Sequence, residues 1–377
     1  MRESPMATDL FYIERCFELA EQGRHTARPN PVVGCVIIND GCVVGEGWHQ
    51  VAGEAHAEIV ALQQAGMRAR NATVYISLEP CVHQGRTGPC TDALVQAGVS
   101  RVVYAMQDPN PLVEGKGLAA LRAAGIAVDG PLLEHKAVAL NPGFVKRMRT
   151  GLPYIRCKMG MSLDGRTAMP SGESKWITGA QARADVQQLR ARSCAVLTGV
   201  GTILQDDPAL DVRLGGYQGK QPLRVVVDSK LRTPPTAKIF QGEGKVVLAT
   251  GGANADLAVH LVTAANSSGQ QQLALHVCAG VDGKVDLQQL LRYLATAHDC
   301  NEILLEAGAI LSGAMLRAGL VDEIVTYIAP ALLGSAAQPL FMLPAIEHLH
   351  ERIQLQFLDV AMLGKDCRIR SLVKQPE

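Results

Sequence analysis

Along the first part of the chain, short β-branched runs bounded by turn residues alternate with stretches whose apolar positions recur every three to four residues. Leu10, Ile13, Phe17 and Ala20 share one helical face, with Thr8 or Asp9 as the expected cap and Gly23 as the stop. Val32 to Ile38 reads as a strand, and Asp40-Gly41 folds it back onto Val43-Val44 as a hairpin. His56 to Ala65 reads as a helix ending at Gly66, Thr73 to Leu78 as a strand, and Thr91 to Ala97 as a helix ending at Gly98. A strand at Arg101 to Ala105, a helix at Gly117 to Ala124 and a strand at Ile126 to Val128 follow. Alternating β and α segments of this kind imply a three-layer α/β/α domain.

Between Asn141 and Pro153 the pattern turns to Asn-Pro-Gly, a basic cluster and Gly151, which reads as a join with its boundary near Thr150. Two domains are expected, residues 1–150 and 151–377. The second opens a new α/β series, with strands at Tyr154 to Met159, Ala195 to Thr198, Arg224 to Asp228, Lys245 to Ala249, Glu302 to Glu306 and Glu323 to Ile328. Leu257 to Gln272 carries little pattern, and no tandem repeat is present.

Composition narrows the function classes. At 47% apolar and 19% charged residues the chain is no disordered protein. Lys plus Arg total 36 and Asp plus Glu total 36, so no net field draws it to nucleic acid or to an anionic membrane. The uncharged stretch near Ile324 to Ile346 is broken by Pro330, Gly334, Gln338, Pro339 and Pro344, too early to span a bilayer. Arg2, Glu3, Asp9, Glu14 and Arg15 stand where a signal peptide needs an apolar core, which reads as a cytoplasmic protein. Ten scattered cysteines fit a reducing compartment in which some thiols hold metal.

The thiols to test are Cys81 and Cys90, which with His56 and Glu58 form one constellation. One imidazole and two thiolates leave a tetrahedral zinc ion a fourth position for water, whose pKa falls to about 7 on the metal. Zinc deaminases pair such a water with a carboxylate that is no ligand and that shuttles its proton, the place expected of Glu58. A closed structural zinc needs a fourth ligand; the nearby candidate is His83, on a Gly-rich loop with Arg86 where a substrate contact is an equal reading. Base deaminases that act on nucleic acid commonly show Pro-Cys-x-x-Cys, whereas eight residues separate Cys81 from Cys90 here.

The second half offers strand-end loops, where open α/β sheets bind ligands. They are Lys158 through Gly165, Ser174 to Thr178, Thr202 through Asp206-Asp207-Pro208 to Arg213, Asp228-Ser229, and Glu306-Ala307-Gly308 running into a helical pattern. Gly199-Val200-Gly201 fails as a dinucleotide fingerprint, because Leu204 occupies the third glycine position. Taken singly these loops read first as turns and caps, and Trp176 as a core anchor.

The long Cys81–Cys90 loop, together with Asn30-Pro31 and Gly47-Trp48-His49 through Gly53 to His56, resembles the deaminase half of the bifunctional riboflavin-biosynthesis deaminase-reductases. The loops of residues 153–230 and 302–334 are similar to the reductase half of the same family. The pattern departs at Val82 and at Ala307. The resemblance implies a cytidine-deaminase-like domain followed by a dihydrofolate-reductase-like α/β domain, with Zn2+ and NADPH as cofactors. It implies a phosphoribosyl diaminopyrimidine substrate that loses its ring amino group and is then reduced at the ribosyl carbon. It places His56, Cys81 and Cys90 on the metal, Glu58 in catalysis, and Asn30, His49, His83 and Arg86 on the deaminase substrate. NADPH would meet Gly160, Trp176, Thr202, Asp206, Ser229 and Gly308; Lys158, Ser174, Arg190, Leu210, Arg213 and Glu306 would meet the reductase substrate. Three alternatives stay open: a second half that binds without reducing, a nucleic-acid base deaminase, and a zinc-stabilised interaction module. An exposed strand edge in either half is a place where two copies could pair as a homo-oligomer.

Overall fold

The computed structural model describes residues 5–82, 88–252, 263 and 273–374. The chain divides into two compact units, Met1–Gly151 and Leu152–Glu377.

The first unit runs α1 (Pro5–Glu21), β1 (Gly34–Asn39), β2 (Cys42–Trp48), α2 (Ala57–Ala65), β3 (Thr73–Ile76), α3 (Cys90–Ala97), β4 (Arg101–Tyr104), α4 (Lys116–Ala123), β5 (Ala127–Asp129), α5 (Glu134–Leu140) and α6 (Pro142–Thr150). The sheet order is β2-β1-β3-β4-β5. β1 is antiparallel to both β2 and β3, while β3, β4 and β5 are parallel. The strands are buried on both faces, so successive residues of β1 enter opposite cores. Val36 and Ile38 pack with Ile13, Phe17, Leu140 and Phe144 of α1, α5 and α6. Cys35 and Ile37 pack with Ala57, Ala61, Leu94 and Leu121 of α2, α3 and α4. This is a three-layer α/β/α sandwich.

One expectation fails here for a local reason and another is refined. Neither Thr8 nor Asp9 caps α1, because the helix already begins at Pro5; Asp9 instead turns inward and is 8% exposed. The stretch read as a join is helical over Pro142–Thr150, and the two units part just after it, between Gly151 and Leu152, next to the expected boundary. Pro142 opens that helix at a position where proline costs no hydrogen bond, and Phe144 and Val145 are buried in the first core.

In the second unit, β6 (Tyr154–Ser162), β7 (Arg166–Ala168), α7 (Ala180–Arg192), β8 (Ala195–Gly199), α8 (Val200–Asp206), β9 (Leu223–Val227), β10 (Val246–Thr250) and β11 (Leu273–Val277) precede the helix Leu287–Ala297. β12 (Glu302–Leu305), the helix Ala309–Arg317, β13 (Glu323–Ala329), β14 (Gln338–Pro339), β15 (Leu355–Leu363) and β16 (Asp366–Val373) complete it. One sheet has the order β11-β10-β9-β8-β12-β6-β13-β16-β15. Its strands are parallel from β11 to β13, and β16 and β15 add an antiparallel edge. The helices Leu287–Ala297 and Ala309–Arg317 cover one face, and α7 and α8 the other. The sequence pattern foretold neither the C-terminal hairpin nor β7, β11 and β14. Leu257 to Gln272 lies outside the described residues apart from Thr263. No helix among the described residues is long and apolar enough to cross a membrane.

Candidate functional site

Close packing of α2 on β2 sets the first site. A Cβ at Gly45 would stand 2.2 Å from the Ala61 carbonyl oxygen, and one at Gly47 would stand 2.4 Å from that of Ala57. Only glycine lets the helix lie this near the strand. His56 is the N-cap of α2; its backbone is extended and its imidazole makes no capping hydrogen bond. Cys90 opens α3, and Cys81 follows β3 in the segment after Glu79-Pro80.

His56 Nδ1 lies 3.2 Å from Cys90 Sγ and 3.5 Å from Cys81 Sγ, and the three donor atoms lie within 4.8 Å of one another. Ligand lengths near 2.1 Å for nitrogen and 2.3 Å for sulfur, at a tetrahedral angle, call for about 3.6 Å between such atoms. The donor set therefore fits one zinc ion and leaves a fourth position open. The Cys90 thiol hydrogen-bonds to Cys81 and, with His56, draws the Cys81 thiol down to about 4 against the effect of burial. Cys90 is raised in turn, first by holding that shared proton and then by burial. A bound cation would displace the shared proton.

Glu58 is 3% exposed in the first turn of α2. Burial raises its carboxyl above the usual range, and the neighbouring His56 opposes the shift. A carboxyl raised in this way is a stronger proton acceptor than an exposed one. His49, 3% exposed, sits edge-on to His56 with ring centroids 5.4 Å apart. Its Nδ1 donates to the Ala55 carbonyl (3.1 Å), so its Nε2 accepts from the Asn30 amide (3.0 Å). Burial lowers its pKa and keeps the ring neutral. Thus His56, Glu58, Cys81 and Cys90 form one cluster, with His49 and Asn30 adjoining through His56. His83 and Arg86 lie outside the described residues. Sequence reasoning missed Asp108, which is 7% exposed with its carboxyl pushed up to about 7, chiefly by burial and in part by Glu79 and Cys81. The strand-end run Asp-Pro-Asn-Pro was the signal for it.

The second site gathers at the C-terminal ends of parallel strands. The register that pairs Leu305 with Cys157 and Leu197 brings Glu306 level with Lys158 and Thr198. Glu306 takes a two-pronged ion pair from Arg190, Nε at 2.6 Å and Nη2 at 3.0 Å, and Arg190 Nη1 donates to the Asp211 carbonyl. Burial would raise Glu306, but Arg190 and Lys158 hold its carboxyl below the usual range. Burial lowers Lys158, with Glu306 opposing. Arg190 is thus occupied in holding Glu306.

Around this pair, Asp206 ends α8 and takes hydrogen bonds from Ser174 Oγ at 3.5 Å and, on its carbonyl, from Lys175 Nζ at 3.0 Å. Thr202 is on the same helix. Leu210 adopts φ +56° and is 3% exposed. Arg213 is largely exposed beside Asp211. Trp176 is 70% exposed, which overturns the core-anchor reading; the Arg183 guanidinium lies 4.6 Å from its ring centre. Gly160 is near the end of β6, with Thr178 and Lys158 beside it. Ser229 is further along the strand ends, where its hydroxyl accepts from the Val285 N–H. Gly308 caps the helix Ala309–Arg317, whose first N–H groups have no partner within the helix and suit phosphate oxygens. Thr198 went unnoticed in the sequence: it is fully buried, and its hydroxyl has no hydrogen-bond partner among the described residues.

Residues 153–369 match the family model of the RibD C-terminal domain, and residues 6–106 that of the cytidine and deoxycytidylate deaminase zinc-binding region. The riboflavin biosynthesis protein RibD of Escherichia coli K12 is 48% identical over 369 residues, covering 95% of this chain and 97% of that protein. A structure of Acinetobacter baumannii RibD, form 2, superposes with a TM-score of 0.87 at 43% identity, covering 98% and 100% of the two chains. A Thermotoga maritima diaminohydroxyphosphoribosylaminopyrimidine deaminase/5-amino-6-(5-phosphoribosylamino)uracil reductase superposes with a TM-score of 0.84 at 28% identity, covering 98% and 99%. The first unit is a cytidine-deaminase-like domain, the second a reductase domain of the dihydrofolate-reductase-like kind, and the cofactors are Zn2+ and NADPH. With both halves present and matched along almost its whole length, the chain belongs to the RibD family of bifunctional deaminase-reductases of riboflavin biosynthesis.

Proposed function

We propose that residues 1–150 hydrolyse the ring amino group of 2,5-diamino-6-(5-phosphoribosylamino)pyrimidin-4-one, and that residues 151–377 reduce the ribosyl group of that product to ribityl with NADPH. Glu58 carries the reading: a buried carboxyl of raised pKa beside, and not among, the three metal donors. His56, Cys81 and Cys90 hold the zinc, which supplies Lewis-acid activation of a water near neutral pH. Glu58 takes the first proton of the attacking water and passes it to the ring nitrogen, then takes the proton of the added hydroxyl and passes it to the amino group, which leaves as ammonia while the carbonyl forms. The neutral His49 and Asn30 hold ring edges, and His83 and Arg86 the phosphoribosyl part.

In the second half, the hydride goes to C1 of the ring-opened ribosyl imine, whose nitrogen takes a proton, leaving a ribitylamino chain. Gly160, Trp176, Thr202, Asp206, Ser229 and Gly308 orient NADPH. Lys158, Ser174, Glu306, Leu210 and Arg213 hold the sugar phosphate, with Arg190 fixing Glu306. Glu58→Ala tests the division of labour. It is expected to lower ammonia release by about 10²-fold or more, keep one zinc per chain, and leave NADPH oxidation on the deaminated substrate unchanged. Loss of the zinc in this variant would contradict the role given to Glu58.

The partner we assign to the β15 edge is a second copy of this chain. β15 is the last strand of its sheet, and Leu355, Phe357, Leu358, Val360 and Met362 are between 41% and 67% exposed, several hundred Å² of apolar surface in all. Antiparallel pairing of β15 with itself across a two-fold axis would set like apolar residues against each other and satisfy the open backbone edge. Val360→Lys is expected to convert a dimer to a monomer in sedimentation velocity; a wild-type monomer at micromolar concentration would contradict the assignment. Balanced charge argues against nucleic acid or membrane as a partner. Ten free cysteines, two of them metal donors, suit the cytoplasm.

A further inference from the structure

Glu79 directly precedes the Pro80-Cys81 segment and is 3% exposed, yet among the described residues no cation pairs with it. Both carboxylate oxygens are taken up by backbone N–H groups. Oε2 accepts from Asp108 at 3.1 Å and Gly115 at 2.9 Å; Oε1 accepts from Gly117 at 2.9 Å and Leu118 at 3.3 Å. The donors are the two ends of the loop that leaves β4 and the first turn of α4, so one carboxylate closes the loop upon itself and caps the helix. The contact is tight on the other side too. A Cβ at Gly117 would stand 2.1 Å from the Pro80 carbonyl oxygen and 3.0 Å from Glu79 Oε1, so the helix start lies directly on the segment that delivers Cys81. The Asp108 carboxyl in that loop lies within electrostatic reach of Cys81.

We propose that Glu79 is a positioning residue of the deaminase, locking the loop between β4 and α4 to the Cys81 segment so that the wall beside the reacting centre and one metal donor move as one body. An ionised carboxylate suits this task because it accepts four N–H bonds and offers no proton of its own. Glu79→Gln replaces one oxygen with an NH2 group. That group faces either the Asp108 and Gly115 donors or the Gly117 and Leu118 donors, and half of the clamp opens. His56, Glu58, Cys81 and Cys90 are untouched by the exchange.

The test is Glu79→Gln in the full zinc-loaded chain, assayed for deaminase kcat and KM, zinc content and reductase rate on the deaminated substrate. We expect one zinc per chain, an unchanged reductase rate, and a deaminase kcat/KM lower by about 10-fold or more, chiefly through KM. A deaminase with unchanged kcat and KM overturns the proposal, and so does loss of zinc, which would make Glu79 a prop of the metal site alone. Should the variant fail to fold, amide exchange in the wild-type chain decides. Protection of the Gly115 and Gly117 amides supports the clamp, and rapid exchange at both overturns it.

Discussion

Asp9 accepts Arg101 Nη1 and Nη2 at 2.9 and 2.8 Å and the Tyr75 hydroxyl at 2.7 Å. These bonds, Arg101's first, hold its carboxyl below the usual range against the opposing effect of burial. The folded state therefore binds the Asp9 proton less tightly than the unfolded chain does. The stabilisation is complete above the unfolded value near pH 3.9 and disappears as pH falls through the folded one. Asp9→Asn is expected to lower the thermal midpoint of the first unit by roughly 3 °C or more at pH 7, with the gap to wild type closing below about pH 4. An equal gap at pH 7 and pH 3 would show that the charge on Asp9 contributes nothing. Single residues also mark how far the sequence could be read. His56, Glu58, Cys81 and Cys90 were legible because each sits at or beside the start of a helix or after a strand, in one short stretch of chain. Glu79 was not, since its partners are backbone N–H groups 29 to 39 residues further on, and no side-chain pattern announces a bond to a main-chain amide.

At the scale of elements, the site depends on how closely helices approach strands. α2 carries Glu58 and begins at His56, and the bare backbone of β2 sets its height above the sheet. Gly47→Ala should lift the start of α2 and lower ammonia release by on the order of 100-fold, as a misplacement near 1 Å can do. Reduction of the deaminated substrate should be unaffected. An unaltered deaminase rate, with the variant folded, would show that α2 can shift without harm. Strand and helix periodicity revealed most of the parallel strands because both of their faces are buried and their β-branched runs are continuous. Two elements escaped for opposite reasons. The helix Pro142–Thr150 was hidden behind Asn-Pro-Gly, residues that mark a turn and equally a helix start. The β15–β16 hairpin was hidden because its outer strand exposes apolar residues instead of burying them.

Over the whole molecule, each unit has a main sheet with a core on either face and, at its candidate site, a cluster of perturbed ionisable groups. The first cluster is built for moving protons around a metal, with a buried acid beside the ligands and a neutral histidine next to it. In the second, the Arg190–Glu306–Lys158 group lies at the strand ends, in a unit that also has an exposed indole and a helix start, and this is the set we propose for an anion and a flat cofactor. Hydrolysis in one unit needs no cofactor from the other, and reduction needs the deaminated product. The most direct test incubates the phosphoribosyl diaminopyrimidine with the zinc-loaded full chain, with and without NADPH, counting ammonia against NADPH consumed and resolving products by mass. The account predicts ammonia under both conditions and, only with NADPH, a product two hydrogens heavier formed at one NADPH per product molecule. NADPH consumption without ammonia release, or no ammonia under either condition, would contradict it.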